Sequence, residues 1–358
     1  MKTLSVVIPN YNYGDFVGAA IESALALDWP DVEVIVVDDG STDHSRAVIA
    51  RYACRVKAIL QENGGQAAAY NTGFAHSRGD AVVFLDSDDL LAPSLARELA
   101  AAWTPAASKV QYQMRVIDAA GRPTGICFPP FGGATDPRRV REGFLATNGY
   151  PSPPGSGNAY ARWFLERVLP VPSSCSHDAT RRLCRVCAAA DSFLLAVAPV
   201  FGDVVTVRAP LASYRIHGRN EAAISHLDLD GLHKELARAR LRLGYARSVA
   251  QRADLPAPAP DALHRNLGYL SYGIAVRKLA PDRLPGERLG SMLLRLCAAT
   301  LVPQGFSLKA RLLVLAWACA VAVAPVGLAR RLATWRFVLS ARPRPIRAAV
   351  AALTGATG

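Results

Sequence analysis

Hydrophobic residues in the first hundred positions come as short unbroken runs, each followed by a polar cluster and then a stretch with helical spacing. Leu4–Pro9 (LSVVIP) is a β-branched run too short for a helix, and behind it Phe16, Ala19, Ala20, Ser23, Ala24 and Leu27 mark one face of a helix. Val32–Val37 (VEVIVV) predicts a second strand with a helix from about Ser45. Val56–Leu60 predicts a third, with a helix of small residues ending by Ser77, and AVVFL from Ala81 a fourth. Strands alternating with helices at this spacing predict an α/β fold, a mostly parallel central sheet flanked by helices on both faces.

Beyond Leu90 the pattern predicts a helix over Pro93–Trp103 and a strand over Val110–Ile117, then a loop-rich stretch over Gly121–Pro154. A helix opened by the segment Pro151–Tyr160 and ending near Leu169, an apolar helical run headed by Asp191 and a strand over Val204–Val207 follow. From Leu232 the pattern becomes helical and arginine-rich, is interrupted by the linker Leu255–Pro260, and resumes over Ala262–Leu279. This divides the chain into 1–225, with halves 1–100 and 101–225, and a basic helical extension, 226–358. Within the extension, Leu312–Ala329 is eighteen residues without a charge, flanked by Lys309, Arg311, Arg330 and Arg331. That is the lower limit for spanning a bilayer, and Pro325 would bend it. An interfacial or re-entrant helix and a buried core helix are the other readings, and an amphipathic piece, Leu332–Leu339, extends the membrane-associated candidate over 308–340.

Charge changes this picture. The net charge is +12, yet residues 1–230 hold 21 Lys and Arg against 24 Asp and Glu, while residues 231–358 hold 20 against 5. A basic tail serves nucleic acid or an anionic membrane; the apolar tail segment favours the membrane, so no nucleic-acid partner is expected. Seven cysteines, an odd number scattered in apolar surroundings, point to a reducing compartment. Cys184 and Cys187 are spaced CxxC with Cys175 and His177 upstream, but the spacing fits no standard zinc pattern and free thiols are expected. Met1-Lys2-Thr3 runs directly into the first strand, so no signal peptide is expected and the cytoplasmic face of a membrane is the expected location.

The candidate chemistry lies at the strand ends. Asn10-Tyr11-Asn12, Asp38–Asp43, Asn63–Gln66 and Asp86–Asp89 each follow a strand, and in open sheets ligands bind beyond the carboxyl ends of the strands. Asp86, Asp88 and Asp89 are like charges that raise one another's pKa unless a cation sits among them. Mg²⁺ or Mn²⁺ takes such carboxylates, with substrate phosphates completing its shell; a solvated acidic turn capping the next helix is the alternative. Neither the GxGxxG fingerprint nor the P-loop GxxxxGK[ST] occurs at the first strand.

SVVIPNYN, VIVVDDGSTD, ENGGQAAAYNTG and LDSDD, in this order and spacing, resemble the family 2 glycosyltransferases, which have a nucleotide-diphospho-sugar transferase fold of the GT-A type. The likeness is dense over about the first 100 residues and thins toward 220. It implies a metal-dependent, inverting transfer from a nucleotide-sugar donor, a UDP-sugar, to a glycan, lipid-linked or other hydroxyl acceptor, as in cell-surface polysaccharide or glycoconjugate synthesis. It also implies site roles. Pro9 and Tyr11 flank the base and Asp39 accepts from its imide N–H. Asn63 and Gly64 contact the donor, Asp86 lies near ribose and metal, and Asp88 coordinates the metal. Gly157 and Asn158 resemble the acceptor-side loop. Asp191 resembles the family's base, with Ala190 where an acidic neighbour is common. A first-turn helical position favours its ionised form. Tyr214–Asn220 resembles a YRxHxxN segment, whose Arg215 and His217 meet the donor diphosphate or acceptor or anchor a closing loop. A sugar nucleotidyltransferase is a second enzyme reading, although Asn10–Asp15 is not the glycine-rich basic loop it needs. A non-catalytic scaffold binding membrane or nucleic acid through the tail is a third.

Overall fold

The computed structural model describes residues 1–131, 135–171, 190–218, 227–338 and 341–343. The chain divides into two compact units. Residues 1–129 and 152–217 form the first; residues 130–151 and 218–358 form the second.

The strands are β1 Leu4–Asn10, β2 Val32–Asp39, β3 Lys57–Gln61, β4 Ala81–Phe84, β5 Leu90–Leu91, β6 Ala107–Ile117, β7 Pro123–Phe128, β8 Asn158–Ala161 and β9 Asp203–Arg215. The helices are α1 Gly14–Leu25, α2 Ser45–Ala50, α3 Gln66–Ala75, α4 Leu95–Ala102, α5 Pro137–Thr147, α6 Arg162–Val168, α7 Ala190–Phe201, α8 Leu229–Arg252, α9 Leu267–Leu279, α10 Leu289–Leu301, α11 Leu308–Val323 and α12 Val326–Phe337.

The strands of the first unit form one sheet in the order β3-β2-β1-β4-β8-β6-β9-β5, with β7 paired to β6. From β3 to β4 all pairs are parallel. These strands are buried as continuous runs because helices cover them: β1 is covered along nearly its whole length and β4 along all of it. The sheet then becomes mixed. β8 lies antiparallel to both β4 and β6, β6 runs parallel to β9, and β5 and β7 pair antiparallel with β9 and β6.

Two elements depart from the sequence expectation. Asn158–Ala161 is a strand, and the helix begins only at Arg162, because Ala159 and Tyr160 are paired on both sides, with β4 and with β6, while Asn158 pairs with β6 and Ala161 with β4. Tertiary pairing overrides a local helix signal here. The stretch expected to be loop holds β7 and α5; α5 starts with Pro137 in its first turn and with Asp136 as N-cap, accepting from the Arg139 N–H.

The second unit is helical around its own core, which includes Leu236, Leu270, Ile274, Met292, Leu296 and Val321. The uncharged run 312–329 is not one helix. It breaks between α11, which is 16 residues long, and α12, for which Pro325 is the N-cap. Proline lacks the N–H that would continue α11 and is accommodated at a helix start. Among the described residues no helix is long and apolar enough to cross a membrane.

Candidate active site

The rim is assembled by carboxylates that tie one strand-end loop to the next. Asp38, at the end of β2, accepts at Oδ2 from Asn10 Nδ2 at 2.9 Å, and at Oδ1 from Ser41 N at 3.1 Å and Arg46 Nε at 2.9 Å. Burial opposes the ionisation of Asp38, but hydrogen bonds from Ser41, Arg46 and Asn10 outweigh it and hold the carboxyl below its ordinary value. Asp39 is 3% exposed. Its Oδ1 accepts from Gln61 Nε2 at 2.6 Å and Gly64 N at 2.9 Å, and its Oδ2 from Gly65 N at 2.7 Å, so it closes the loop after β3 onto the loop after β2. That approach requires Gly40, which has a φ of +80° and where a Cβ would lie 2.7 Å from the Asn63 nitrogen. Asn63 and Gly64 are exposed, Tyr11 is 47% exposed, and the Pro9 carbonyl accepts from Ser87 Oγ at 2.5 Å.

The turn Asp86–Asp89 is held from the β9 side. Arg215 N donates to Asp89 Oδ1 at 3.0 Å, and Arg215 Nε donates to the Asp88 carbonyl at 2.8 Å. The Arg215 guanidinium also lies over the Phe16 ring, 5.3 Å from its centroid. His217 stacks on Phe16 at 4.7 Å between centroids, and its Nε2 is 2.9 Å from Asp88 Oδ2. Arg215 and His217 therefore brace the acidic turn. From the other side the Asp86 N–H donates to Ser156 Oγ at 3.0 Å, and Tyr112 Oη donates to the Ser156 carbonyl at 2.9 Å.

Asp191 stands in the first turn of α7, and its Oδ1 accepts from Ser192 N at 2.7 Å. The neighbouring Ala190 N donates to Gln66 Oε1 at 2.9 Å, tying the start of α7 to the start of α3. Asp191 meets Asp86 at Gly155. A Cβ on this glycine would lie 3.2 Å from Asp86 Oδ2, 3.3 Å from Tyr70 Oη and 3.6 Å from Asp191 Cβ, so the missing side chain is what lets the three groups close round one point. Tyr70 is fully buried, stacks on Phe84 at 4.0 Å, and its hydroxyl has no hydrogen-bond partner among the described residues.

Gly157 and Asn158 are buried and have a supporting task. Asn158 Nδ2 donates to the carbonyls of Pro153, Pro154 and Gly155, and its Oδ1 accepts from Lys109 Nζ at 2.8 Å. Lys109 is itself fully buried and donates also to Ser152 Oγ at 2.9 Å; burial pushes its ammonium well below the ordinary lysine value. A buried lysine and asparagine thus pin residues 153–155 beneath the acids.

Sequence reasoning did not find Lys109, Tyr70, Gly155 or Ser156. Lys109 carried a signal, a single charge inside an apolar strand, whereas Tyr70 sits in a run of small residues with nothing to mark it. Cys175, His177, Cys184 and Cys187 lie outside the described residues.

The donor set fits a hard divalent cation. Burial first, and then the neighbouring carboxylates, push Asp86 and Asp89 above the ordinary aspartate value, and Asp89 Oδ2 is buried without a hydrogen-bond partner among the described residues. A cation among these carboxyls would favour their ionised forms. Among the described residues no three His, Cys, Asp or Glu side chains are grouped to hold an ion by themselves. Ligand oxygens would have to join Asp86 and Asp88 in the shell, the usual arrangement for Mg²⁺ with phosphates.

The mixed sheet flanked by helices is a glycosyltransferase fold of the GT-A type. Its likeness to S. aureus TarS 1–349 has a TM-score of 0.51 at 16% identity, covering 93% of this chain and 91% of that one. A structure of the same protein in complex with UDP-GlcNAc gives a TM-score of 0.52 with the same coverage. The family model described as glycosyl transferase family 2 matches residues 5–127 of the chain. An uncharacterised glycosyltransferase of a Nostoc species is 36% identical over 223 residues, 61% of this chain and 66% of that protein. The glycosyltransferase GlyG of Streptococcus pneumoniae is 36% identical over 102 residues, 27% of this chain and 34% of that protein. The matched region thus spans less than two thirds of these relatives.

Proposed function

We propose that this chain is a metal-dependent, inverting glycosyltransferase that moves a sugar from a UDP-sugar to an acceptor hydroxyl. The observation that carries this reading is the convergence of Asp86 and Asp191, from two segments of the first unit far apart in sequence, on Gly155. It places a donor-side acid beside an acid at the head of a helix, the two functions a single displacement needs.

Residues 1–100 hold the donor. Pro9 and Tyr11 flank the base. Asp39 has three protein donors of the roughly four that a carboxylate accepts, which leaves one site for an imide N–H. Asn63 and Gly64 are exposed and line the donor's path. Asp191 takes the proton of the acceptor hydroxyl. The freed oxygen pair forms the new bond to the anomeric carbon while the bond from that carbon to the diphosphate breaks on the opposite face, its electrons leaving with the nucleoside diphosphate. One displacement inverts the centre. Helix α7 directs its N-terminal positive end at Asp191 and favours its ionised form. When bound, Mg²⁺ or Mn²⁺ held by Asp88 with Asp86 supplies positive charge opposite the leaving diphosphate. Arg215 and His217 serve this site by holding Asp88 and Asp89 in place.

The acceptor, a glycan or lipid-linked hydroxyl in cell-surface polysaccharide or glycoconjugate synthesis, is met at an anionic membrane surface on its cytoplasmic face; the cationic C-terminal charge supports this. Calorimetry with UDP and Mn²⁺ tests the donor site: binding is expected, and EDTA or Asp88→Asn abolishes it. A folded protein that binds no UDP overturns the reading.

A further inference from the structure

We infer that the exposed faces of α10 and α11 are the surface by which the second unit lies on an anionic bilayer, with their apolar stripes inserted at the interface and their cationic side chains on the lipid phosphates. This rests on the reading that the enzyme works at such a membrane.

The stripe on α11 follows directly from its helical spacing. Leu308, Leu312, Ala316, Cys319 and Val323 are exposed at successive intervals of four, four, three and four residues, so they line one side of the helix from end to end. All five are apolar or a thiol, while Ala318 and Val321 are buried in the core of the unit. Helix α10 repeats the arrangement, with Leu294, Cys297, Ala298 and Leu301 exposed and Met292, Leu296 and Ala299 buried. Leu294 is 74% and Leu301 79% exposed, and Phe306, between the two helices, is 47% exposed. A helix that serves only as part of a soluble core turns charged residues outward at these positions. Here water faces leucine.

Charge selects the occupant. After Glu287 the chain holds no Asp or Glu at all; Arg295 pairs with Glu287 at 3.4 Å and Arg311 donates to the Thr300 and Val302 carbonyls, while Arg288, Lys309, Arg330 and Arg331 are exposed on or beside the striped helices. A second copy of this chain would bring the same excess of positive charge against itself. An anionic lipid surface offers both what the stripes need, an apolar layer, and what the arginines need, phosphates. Since no described helix crosses a membrane, the helices lie in the interface plane. Lys309, next to exposed Leu308, is itself exposed and suited to reach headgroups with its ammonium.

Co-sedimentation of the full chain with vesicles tests this. The wild-type chain is expected to pellet with phosphatidylglycerol vesicles, to stay in solution with phosphatidylcholine vesicles, and to be released by salt. The double variant Leu294→Glu with Leu312→Glu changes only exposed positions, so its melting temperature and UDP binding should match wild type, while its partitioning falls about tenfold or more. A double variant that partitions like wild type overturns the assignment of this face and leaves the membrane reading standing. A wild-type chain that pellets with neither vesicle while binding UDP overturns the face and the membrane reading together, but not the transferase. A wild-type chain that self-associates in light scattering, with the double variant monomeric, makes a second copy the occupant and overturns the lipid assignment.

Discussion

In the first unit, carboxylates are gathered and then met: Asp38 by Asn10, Ser41 and Arg46, Asp39 by Gln61, Gly64 and Gly65, and Asp88 by His217. In the second unit, cations outnumber acids fourfold from residue 231 onward, and leucines stand in water. The difference separates two kinds of surface. The loops of the rim are tied to one another by hydrogen bonds of their own, which lowers the cost of ordering them when a ligand binds. On the proposed reading, the helical faces take a partner that supplies both the countercharge and the apolar contact.

Substitutions in the two regions should therefore differ in what they damage. The largest effect is expected at Gly155. Gly155→Val drives side-chain atoms between Asp86, Tyr70 and Asp191, and a displacement of about 1 Å at a reacting centre costs on the order of 100-fold in turnover. Steady-state kinetics check it, and turnover within a few-fold of wild type would mean that the three groups do not act together.

Next comes Lys109→Met. It leaves the buried Asn158 Oδ1 without its lysine donor, so stability falls by about 1–3 kcal/mol, read from denaturant unfolding. Turnover should fall with it, because residues 153–155 lose their pin.

Arg46→Ala has a smaller effect with a definite direction. The folded-state pKa of Asp38 is lowered, so its contribution to stability is fully present above the unfolded value of about 4 and is lost as pH falls through the folded value. Removing Arg46 takes away one of the hydrogen bonds that lower the pKa and moves acid unfolding to higher pH. Melting temperatures measured down the acid range should show the variant losing stability first.

The smallest effect belongs to the second unit. Leu312→Ser, on the exposed stripe of α11, should change stability by no more than about 0.5 kcal/mol. A large loss would mean that this face is covered by protein and would erase the contrast between the regions.

Much of the first unit was legible in the sequence because its strands are short apolar runs with polar ends, and a parallel sheet collects those ends on one rim. Asp86, Asp88 and Asp39 could be found that way. What was hidden depends on pairing between distant segments. Asn158 reads as the head of a helix until β4 and β6 close on either side of it, and only then does its side chain turn to Lys109 and the carbonyls of residues 153–155. Asp39 reads as a ligand for a base, yet the fold first uses it to close a loop. In the second unit the composition was legible and the break was not placed: Pro325 was visible as a bend, but two helices result from it, and the outward stripe appears only once the buried side of α11 is known.

The measurement that bears most directly on the central claim is single-turnover transfer by Asp191→Asn, made alongside calorimetric UDP binding to the same protein. The substitution keeps the size of the side chain and removes its ability to take a proton. Donor affinity should stay at the wild-type value while transfer drops by roughly 100- to 10,000-fold. Transfer at the wild-type rate with donor affinity unchanged would contradict the account, because the proton would then leave the acceptor by a group other than the one that meets Asp86 at Gly155.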